Sequence, residues 1–145
     1  MRGFTFAAAM AAGCLIGAPA LAQQGGPVGQ WRCQQTYGEY NPQGQRTSGW
    51  TREFVIAVYP NGAYQAQGQE AGVSGVSQFQ SQGQWQFQQG AFSARGQMQD
   101  SSGFPGLFGF VAQVEANGTM RLDYPQRDPS GQWVMNRSMV MCQRA

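Results

Sequence analysis

The clearest pattern along the chain is a strict alternation of glutamine with aromatic or small residues between positions 78 and 88. Glutamine occupies every even position, and the odd positions hold Phe79, Ser81, Gly83, Trp85 and Phe87. A period of two is typical of a β-strand with one solvated and one packed face, whereas a helix repeats about every 3.6 residues. The interleaved aromatic residues favour a strand over a disordered glutamine-rich tract.

Similar β-rich segments follow one another along the chain and are separated by turn sequences. Asn61-Gly62 and Asn117-Gly118 are dipeptides that supply the positive φ angles of tight hairpins. No stretch combines helical periodicity with helix caps, so the sequence predicts an all-β domain. The predicted strands are 28–37, 50–59, 63–70, 78–88, 91–99, 107–115, 119–124 and 132–144.

Three connecting segments are expected to be irregular. Residues 38–49 contain Asn41-Pro42-Gln43-Gly44 and are predicted to form a long polar loop. Residues 71–77 are predicted to be a link of small residues, and 100–106 a loop that exposes Phe104.

Two cysteines near the ends of the predicted domain determine the architecture that we expect. If Cys33 and Cys142 face each other on antiparallel first and last strands, Trp31 lies opposite Arg144, two residues along. A disulfide and an arginine–indole contact would then lie side by side. Pairing of the first and last strands closes a sheet, so we predict an eight-stranded antiparallel up-and-down β-barrel. A β-sandwich of the same strands is the alternative.

The first 22 residues have the features of an export signal. Arg2 supplies a positive charge, residues 4–16 are apolar and small, and Ala20-Leu21-Ala22 is a cleavage site. Cys14 follows Ala12-Gly13, but position 11 is Ala where a lipoprotein box usually has Leu, so we expect cleavage rather than a lipid anchor.

The predicted organisation is a signal peptide (1–22), a flexible lead (23–27) and a single barrel domain (28–145). We expect no transmembrane segment after signal removal, and a periplasmic or secreted location in a Gram-negative-type envelope. The oxidising compartment outside the cytosol agrees with one disulfide between Cys33 and Cys142.

The low charge of the chain argues against a polyanionic partner. All nine basic residues are arginines, seven acids oppose them, and the formal net charge is +2. This composition does not predict binding to nucleic acid or to an anionic membrane. The many glutamines give the chain a neutral polar surface instead.

The residues that usually carry catalysis are missing from the sequence. Histidine is absent, which removes the commonest general base and metal ligand. A disulfide between Cys33 and Cys142 would also remove thiol chemistry. We therefore predict a protein that is not an enzyme and that has no cofactor and no metal. Thioethers are soft ligands, so a Cu(I) site at Met135, Met139 and Met141 is the alternative to methionines that fill the core.

Gly29-Gln30-Trp31 opens the first predicted strand, and Arg144 lies on the last. This combination resembles the G-x-W and arginine signature of the lipocalin and wider calycin superfamily. In that family the tryptophan closes one end of a β-barrel and a late arginine packs across it. Avidin-type barrels share the G-x-W start and are similar in size. The resemblance implies a small secreted barrel that Trp31 and Arg144 close at one end.

Our first functional hypothesis is that the barrel holds a small apolar or aromatic ligand. We predict that Trp50, Trp85, Phe87 and Phe110 contact this ligand. Small residues on the strands, such as Gly68, Gly83 and Gly96, would leave room for it inside the barrel. A core packed with aromatic side chains is the alternative use of the same residues.

The second hypothesis is a protein-interaction module, such as an inhibitor of an envelope hydrolase, that acts through its loops. The predicted contact residues are Tyr40 and Phe104. Small exported enzyme inhibitors with one disulfide and an eight-stranded barrel are a class that this chain also resembles. A third hypothesis is a structural envelope component that self-associates through its glutamine-rich face.

Overall fold

The computed structural model describes residues 26–145, which form eight antiparallel strands and no helix. Each strand pairs with its neighbours in chain order, and β1 also pairs with β8, so the prediction of a closed up-and-down barrel is confirmed. The predicted signal peptide and residues 23–25 of the predicted lead lie outside the described residues. The strands are β1 (Gly29–Tyr40), β2 (Arg46–Val58), β3 (Ala63–Gly72), β4 (Gly75–Gln88), β5 (Ala91–Asp100), β6 (Pro105–Val114), β7 (Met120–Arg127) and β8 (Val134–Arg144).

The disulfide joins the two strands that close the barrel. Cys33 and Cys142 lie directly opposite each other in the β1–β8 pair and are bonded, with their Cα atoms 4.1 Å apart. The same register places Trp31 opposite Arg144, as the sequence predicted. Both cysteines are buried, because their positions share the parity that faces the interior.

The alternation in β4 has the predicted orientation. Phe79 and Ser81 face the interior and are buried, whereas the glutamines between them are exposed. Because glutamines on β3 and β5 pair with those of β4, amide side chains form rows across the outer face of the sheet. One such row contains Gln67, Gln80 and Gln99.

Two segments that we expected to be irregular belong largely to strands. The β1–β2 ladder continues to the pair Tyr40–Arg46, so only residues 41–45 form the turn. Gly49 permits this because its φ is +138° and a Cβ there would lie 2.1 Å from the Tyr37 carbonyl oxygen. Strands β3 and β4 likewise extend through 71–77, and only Val73 and Ser74 form the connecting turn.

Five of the seven hairpin turns share one design that differs from the expected tight two-residue turn. Only the glycine of each Asn-Gly pair has a positive φ, +88° at Gly62 and +82° at Gly118. The amide of each glycine donates to the carbonyl three residues earlier, which is a type I turn followed by a left-handed residue. The same hydrogen bond and a positive φ recur at Gly44, Gly103 and Gly131.

The strand pairing around the barrel is shortest between β6 and β7. All the other neighbouring pairs run along most of their strands, but β6 and β7 pair only at Gln113–Arg121 and Val114–Met120. Beyond this point β7 follows β8, with which it pairs from Met120 to Arg127. The edge of β6 from Pro105 to Ala112 is therefore not paired with β7.

Aromatic side chains fill the interior. Phe54 contacts the rings of Phe79, Phe108 and Phe110, with centroid distances between 5.2 and 6.2 Å. The rest of the buried cluster includes Trp31, Ile56, Tyr64, Phe92 and Met120. Rings at these distances pack in the edge-to-face and tilted arrangements that stabilise protein cores.

The strand glycines do not leave an empty space. A Cβ at Gly96 would lie 2.5 Å from the Tyr64 hydroxyl and 2.2 Å from the Gln82 carbonyl oxygen. A Cβ at Gly68 would lie 2.1 Å from the Glu53 carbonyl oxygen and 2.6 Å from the Cα of Phe54. Gly96 therefore makes room for the Tyr64 hydroxyl, and Gly68 lets the β2 backbone approach closely, which corrects the expectation that these glycines make room for a ligand.

Candidate functional site

One end of the barrel is closed by Trp31. Its indole N–H donates to the carbonyl of Pro27 at 2.7 Å, and the guanidinium of Arg144 lies 4.1 Å from its ring centroid. Arg144 also donates to the carbonyls of Gly26 and Val28. Because these contacts join the segment before β1 to the end of β8, they cover the interior at this end. We call it the closed end.

The four predicted ligand-binding residues do not surround one space. Phe110 is buried within the aromatic core, and Trp50 lies at the end opposite Trp31. Trp85 lies near the closed end, where its indole N–H donates to the Tyr59 carbonyl at 2.8 Å. Phe87 lies near the end of β4 and is partly exposed.

The opposite end, which we call the open end, carries an ion pair inside the barrel wall. Arg52 is only 8% exposed, and its Nε donates to the Glu70 carboxylate at 2.5 Å. Its guanidinium lies 4.2 Å from the ring centroid of Trp50, which stacks on Tyr37 at 6.0 Å. A charged pair thus covers the aromatic core at this end, with aromatic rings beside it.

Sequence reasoning missed Arg52, although a signal for it was present. Arg52 has the same parity as Phe54 and Ile56 in β2, which indicates an inward side chain. Glu53, which has the opposite parity, is exposed on the outer face, and Glu70 on β3 is turned toward Arg52.

Both predicted partner-binding residues lie at the open end. Phe104 occupies the β5–β6 turn and is 73% exposed. Tyr40 ends β1 and is half-buried, with its ring covering Gly38. The structure therefore brings the two candidate contact residues to the same end of the barrel.

Hydrogen bonds order the Phe104 turn. The carboxylate of Asp100 accepts the backbone N–H groups of Ser102 and Phe104, each at 2.9 Å. The backbone of Asp100 also accepts from Gly103 at 2.9 Å and donates to the Phe104 carbonyl at 3.2 Å. An exposed aromatic ring is thus presented on a turn that its own hydrogen bonds hold in place.

Other charged side chains toward the open end form an ion pair or accept hydrogen bonds within a loop. Asp123 accepts two hydrogen bonds from Arg137, and these hold the pKa of the Asp123 carboxyl below its usual value. Hydrogen bonds from the Ser130 side chain and from the Trp133 backbone lower the pKa of Asp128. Burial and the hydrogen bond to Glu39 raise the pKa of Tyr37.

His, Cys, Asp and Glu side chains do not converge in the described part of the chain. Within residues 26–145, no group of three or more of them is placed to hold a metal ion. Of the methionines considered for Cu(I), Met139 and Met141 are exposed on the outer face of β8, and Met135 is half-buried near the start of the same strand. The Cu(I) site therefore stays a prediction.

A large concave surface lies on the outside of the barrel. A groove of about 1040 Å³ crosses the outer faces of β2 to β6, and its lining is rich in glutamine. Val55, Ala57 and Leu107 are among its apolar members. This face is the glutamine-rich surface of the self-association hypothesis.

Comparisons of the chain with protein-family models and with curated proteins found no match. Across residues 26–145, no helix is long and apolar enough to cross a membrane.

Proposed function

We propose that this chain is an exported, non-enzymatic protein-interaction module that binds a partner protein at its open end. The partner class that we favour is a hydrolase of the cell envelope, which the module would inhibit. The observation that carries this proposal is the Phe104 ring, which is 73% exposed on a turn ordered by Asp100. Aromatic residues, Phe among them, are enriched at the cores of protein–protein interfaces, where a few residues carry most of the affinity.

The filled interior also supports an interaction at the surface. Phe54, Phe108 and Phe110 occupy the space in which a small ligand would lie. Binding of a small apolar ligand inside the barrel stays a prediction, as does self-association through the glutamine-rich face. The geometry favours neither over the Phe104 surface, because Phe104 is large, apolar, exposed and held in position.

Export and family membership are part of the proposal. The Cys33–Cys142 disulfide is compatible with an oxidising compartment such as the periplasm. The packing of Arg144 on Trp31 supports membership of the calycin superfamily, because that contact is the one the resemblance implied.

The test is capture of a partner by the purified mature protein. Wild type and Phe104→Ala are immobilised and incubated with an envelope extract, and captured proteins are identified by mass spectrometry. Each candidate is then purified and its affinity is measured by calorimetry. Phe104→Ala should lose about tenfold or more in affinity, since the truncation of a central aromatic contact commonly costs over 1 kcal/mol.

Phe87→Ala is the matched control. It removes another partly exposed phenylalanine, but from the end of β4 near the closed end. It should bind the partner as wild type does, and both variants should retain the wild-type melting temperature. Equal affinity of wild type and Phe104→Ala for every captured protein would overturn the proposal.

A further inference from the structure

The edge of β6 offers backbone groups that no strand among residues 26–145 uses. The carbonyl of Gly109 accepts a hydrogen bond from the side chain of Gln35 at 3.2 Å, so it points away from the β5 ladder. Backbone groups alternate between the two edges of a strand. Leu107 and Val111 therefore direct their N–H and C=O groups to the same side as Gly109, where β7 is not paired with β6.

Gln35 lies behind this edge with unused hydrogen-bonding capacity. Its side chain is 9% exposed, and its Oε1 has no hydrogen-bond partner among residues 26–145. Buried amide oxygens are nearly always paired, so an unpartnered one is unusual. The Gly109 carbonyl has two lone pairs and can accept a second donor while it keeps the bond from Gln35.

The outer face along this edge presents two exposed apolar side chains and an arginine. Leu107 is 82% exposed and Val111 is 47% exposed, and they lie on either side of Gly109. Arg95 pairs with Gly109 across the β5–β6 ladder and is exposed. Within residues 26–145, Arg95 takes part in no ion pair. Because Gly109 has no side chain, the Arg95 guanidinium can reach across it toward the free edge.

We propose that the β6 edge from Leu107 to Val111 binds an extended segment of the partner protein as an added β-strand. The segment would carry an acidic residue opposite Gly109, where it meets Arg95, and apolar residues two positions before and after it, beside Leu107 and Val111. Main-chain hydrogen bonds would supply affinity and the alternating side chains would supply specificity.

The inference rests on the proposed function and deepens it. Phe104 directly precedes β6, so the exposed ring and the free edge form one continuous surface. Charge favours a different protein over a second copy of this chain as the occupant. An antiparallel copy paired through Gly109 would bring its own Gly109 to this position and would place its exposed Arg95 near the first.

The probe is a synthetic peptide with Val, Glu and Val at alternating positions and Thr between and around them. Binding to the intact mature protein is measured by fluorescence anisotropy. Two N-methylated versions test the hydrogen bonds. Methylation of the peptide amides that face β6 should weaken binding tenfold or more, since each lost backbone hydrogen bond costs about 1 kcal/mol. Methylation of the alternate amides should leave the affinity unchanged.

A charge exchange tests the predicted acidic residue. Arg95→Glu should weaken binding of the Glu peptide several-fold, and a peptide with Lys in place of Glu should restore it. Arg32→Glu, which changes an exposed arginine on β1, is the control and should have little effect. Val111→Pro should abolish binding, because it removes a donor on the free edge without touching the β5 ladder.

The outcomes separate this inference from the proposed function. Failure of the unmethylated peptide to bind, or equal binding of both methylated peptides, would overturn strand addition. A dimer of the mature protein that Val111→Pro dissociates would also overturn it, because the edge would then be occupied by a second copy. If Val111→Pro captures the partner normally while Phe104→Ala does not, the proposed function holds and the inference fails.

Discussion

Arg144 places its guanidinium carbon 4.1 Å from the centroid of the Trp31 ring, across the strand pair that closes the barrel. Arg144 also donates to the carbonyls of Gly26 and Val28, so one side chain on the last strand fixes the segment that precedes the first. The indole N–H of Trp31 donates to Pro27 in the same segment. The closed end is therefore a joint between the two ends of the described chain.

Replacement of Arg144 by alanine should weaken this joint. We expect the free energy of unfolding to fall by about 1 kcal/mol, because a cation–π contact and hydrogen bonds to two carbonyls are lost together. Urea unfolding of the oxidised protein measures the change. Arg32→Ala, from the outer face of β1, should have a much smaller effect. An equal loss in the two variants would show that the contact with Trp31 adds nothing.

The disulfide should make a large contribution to stability. Cys33 and Cys142 are 109 residues apart, and the chain-entropy model gives about 5 kcal/mol for so long a loop. The double variant Cys33→Ala/Cys142→Ala should therefore unfold at a much lower urea concentration than wild type. Reduced wild type keeps both sulfur atoms and isolates the effect of the cross-link. Stability that survives reduction unchanged would contradict this prediction.

Neutralising Glu70 should leave the Arg52 guanidinium buried without its partner. We expect Glu70→Gln to lower the free energy of unfolding by about 2–3 kcal/mol. This is less than for a fully enclosed pair, because the Glu70 side chain is 29% exposed. Thermal and urea unfolding measure the loss.

Two further variants test the cause of that loss. Glu53→Gln, which changes the exposed acid on β2, should alter stability by less than about 0.5 kcal/mol. Arg52→Met combined with Glu70→Met should recover most of the lost stability, since an apolar pair can replace a buried ion pair. Failure of Glu70→Gln to destabilise more than Glu53→Gln would contradict a buried role for Arg52.

The buried hydroxyl of Tyr64 should make stability depend on alkaline pH. Burial raises the pKa of Tyr64 above its usual value of about 10, and this outweighs the opposing effect of the hydrogen bond with Ser81. The unfolded chain therefore loses the proton at lower pH than the native protein. The contribution is complete below about pH 10 and is lost as the pH rises through the native pKa.

Unfolding free energies of wild type and Tyr64→Phe, measured from pH 7 to pH 11, test this dependence. The difference between the two proteins should shrink above about pH 10. Tyr124→Phe removes an exposed hydroxyl and should retain the wild-type pH profile. A Tyr64→Phe profile parallel to that of wild type at every pH would contradict the prediction.

Local sequence was sufficient for some features because their physical cause is local. The glutamine alternation of β4 determines which face is wet, since side chains of a strand alternate strictly. Once the disulfide is assumed, it sets the β1–β8 register. Trp31 then lies opposite Arg144, because each is two residues from its cysteine. Turn signals located the hairpins but not their type, because an Asn-Gly pair fits more than one turn.

Features that depend on side chains meeting across the barrel were decided only by the tertiary structure. The Tyr64 hydroxyl occupies the space beside Gly96, and the β2 backbone at Glu53 and Phe54 approaches Gly68 closely, so the glycines that suggested a cavity belong to a filled core. The parity of Arg52 in β2 indicates an inward side chain, but its contact with Glu70 depends on the register between β2 and β3.

The sequence by itself determined an all-β chain of eight alternating strands with its first and last strands joined. The strands follow from a period of two between neighbouring residues, and the joining of the first and last strands follows from one pair of cysteines. Only the tertiary structure decided where the barrel is weakly closed, at β6 and β7, and which end presents Phe104 beside that edge. Those features depend on the lengths of all eight strands and on the volumes of the side chains inside the closed sheet, and these are properties of the whole barrel.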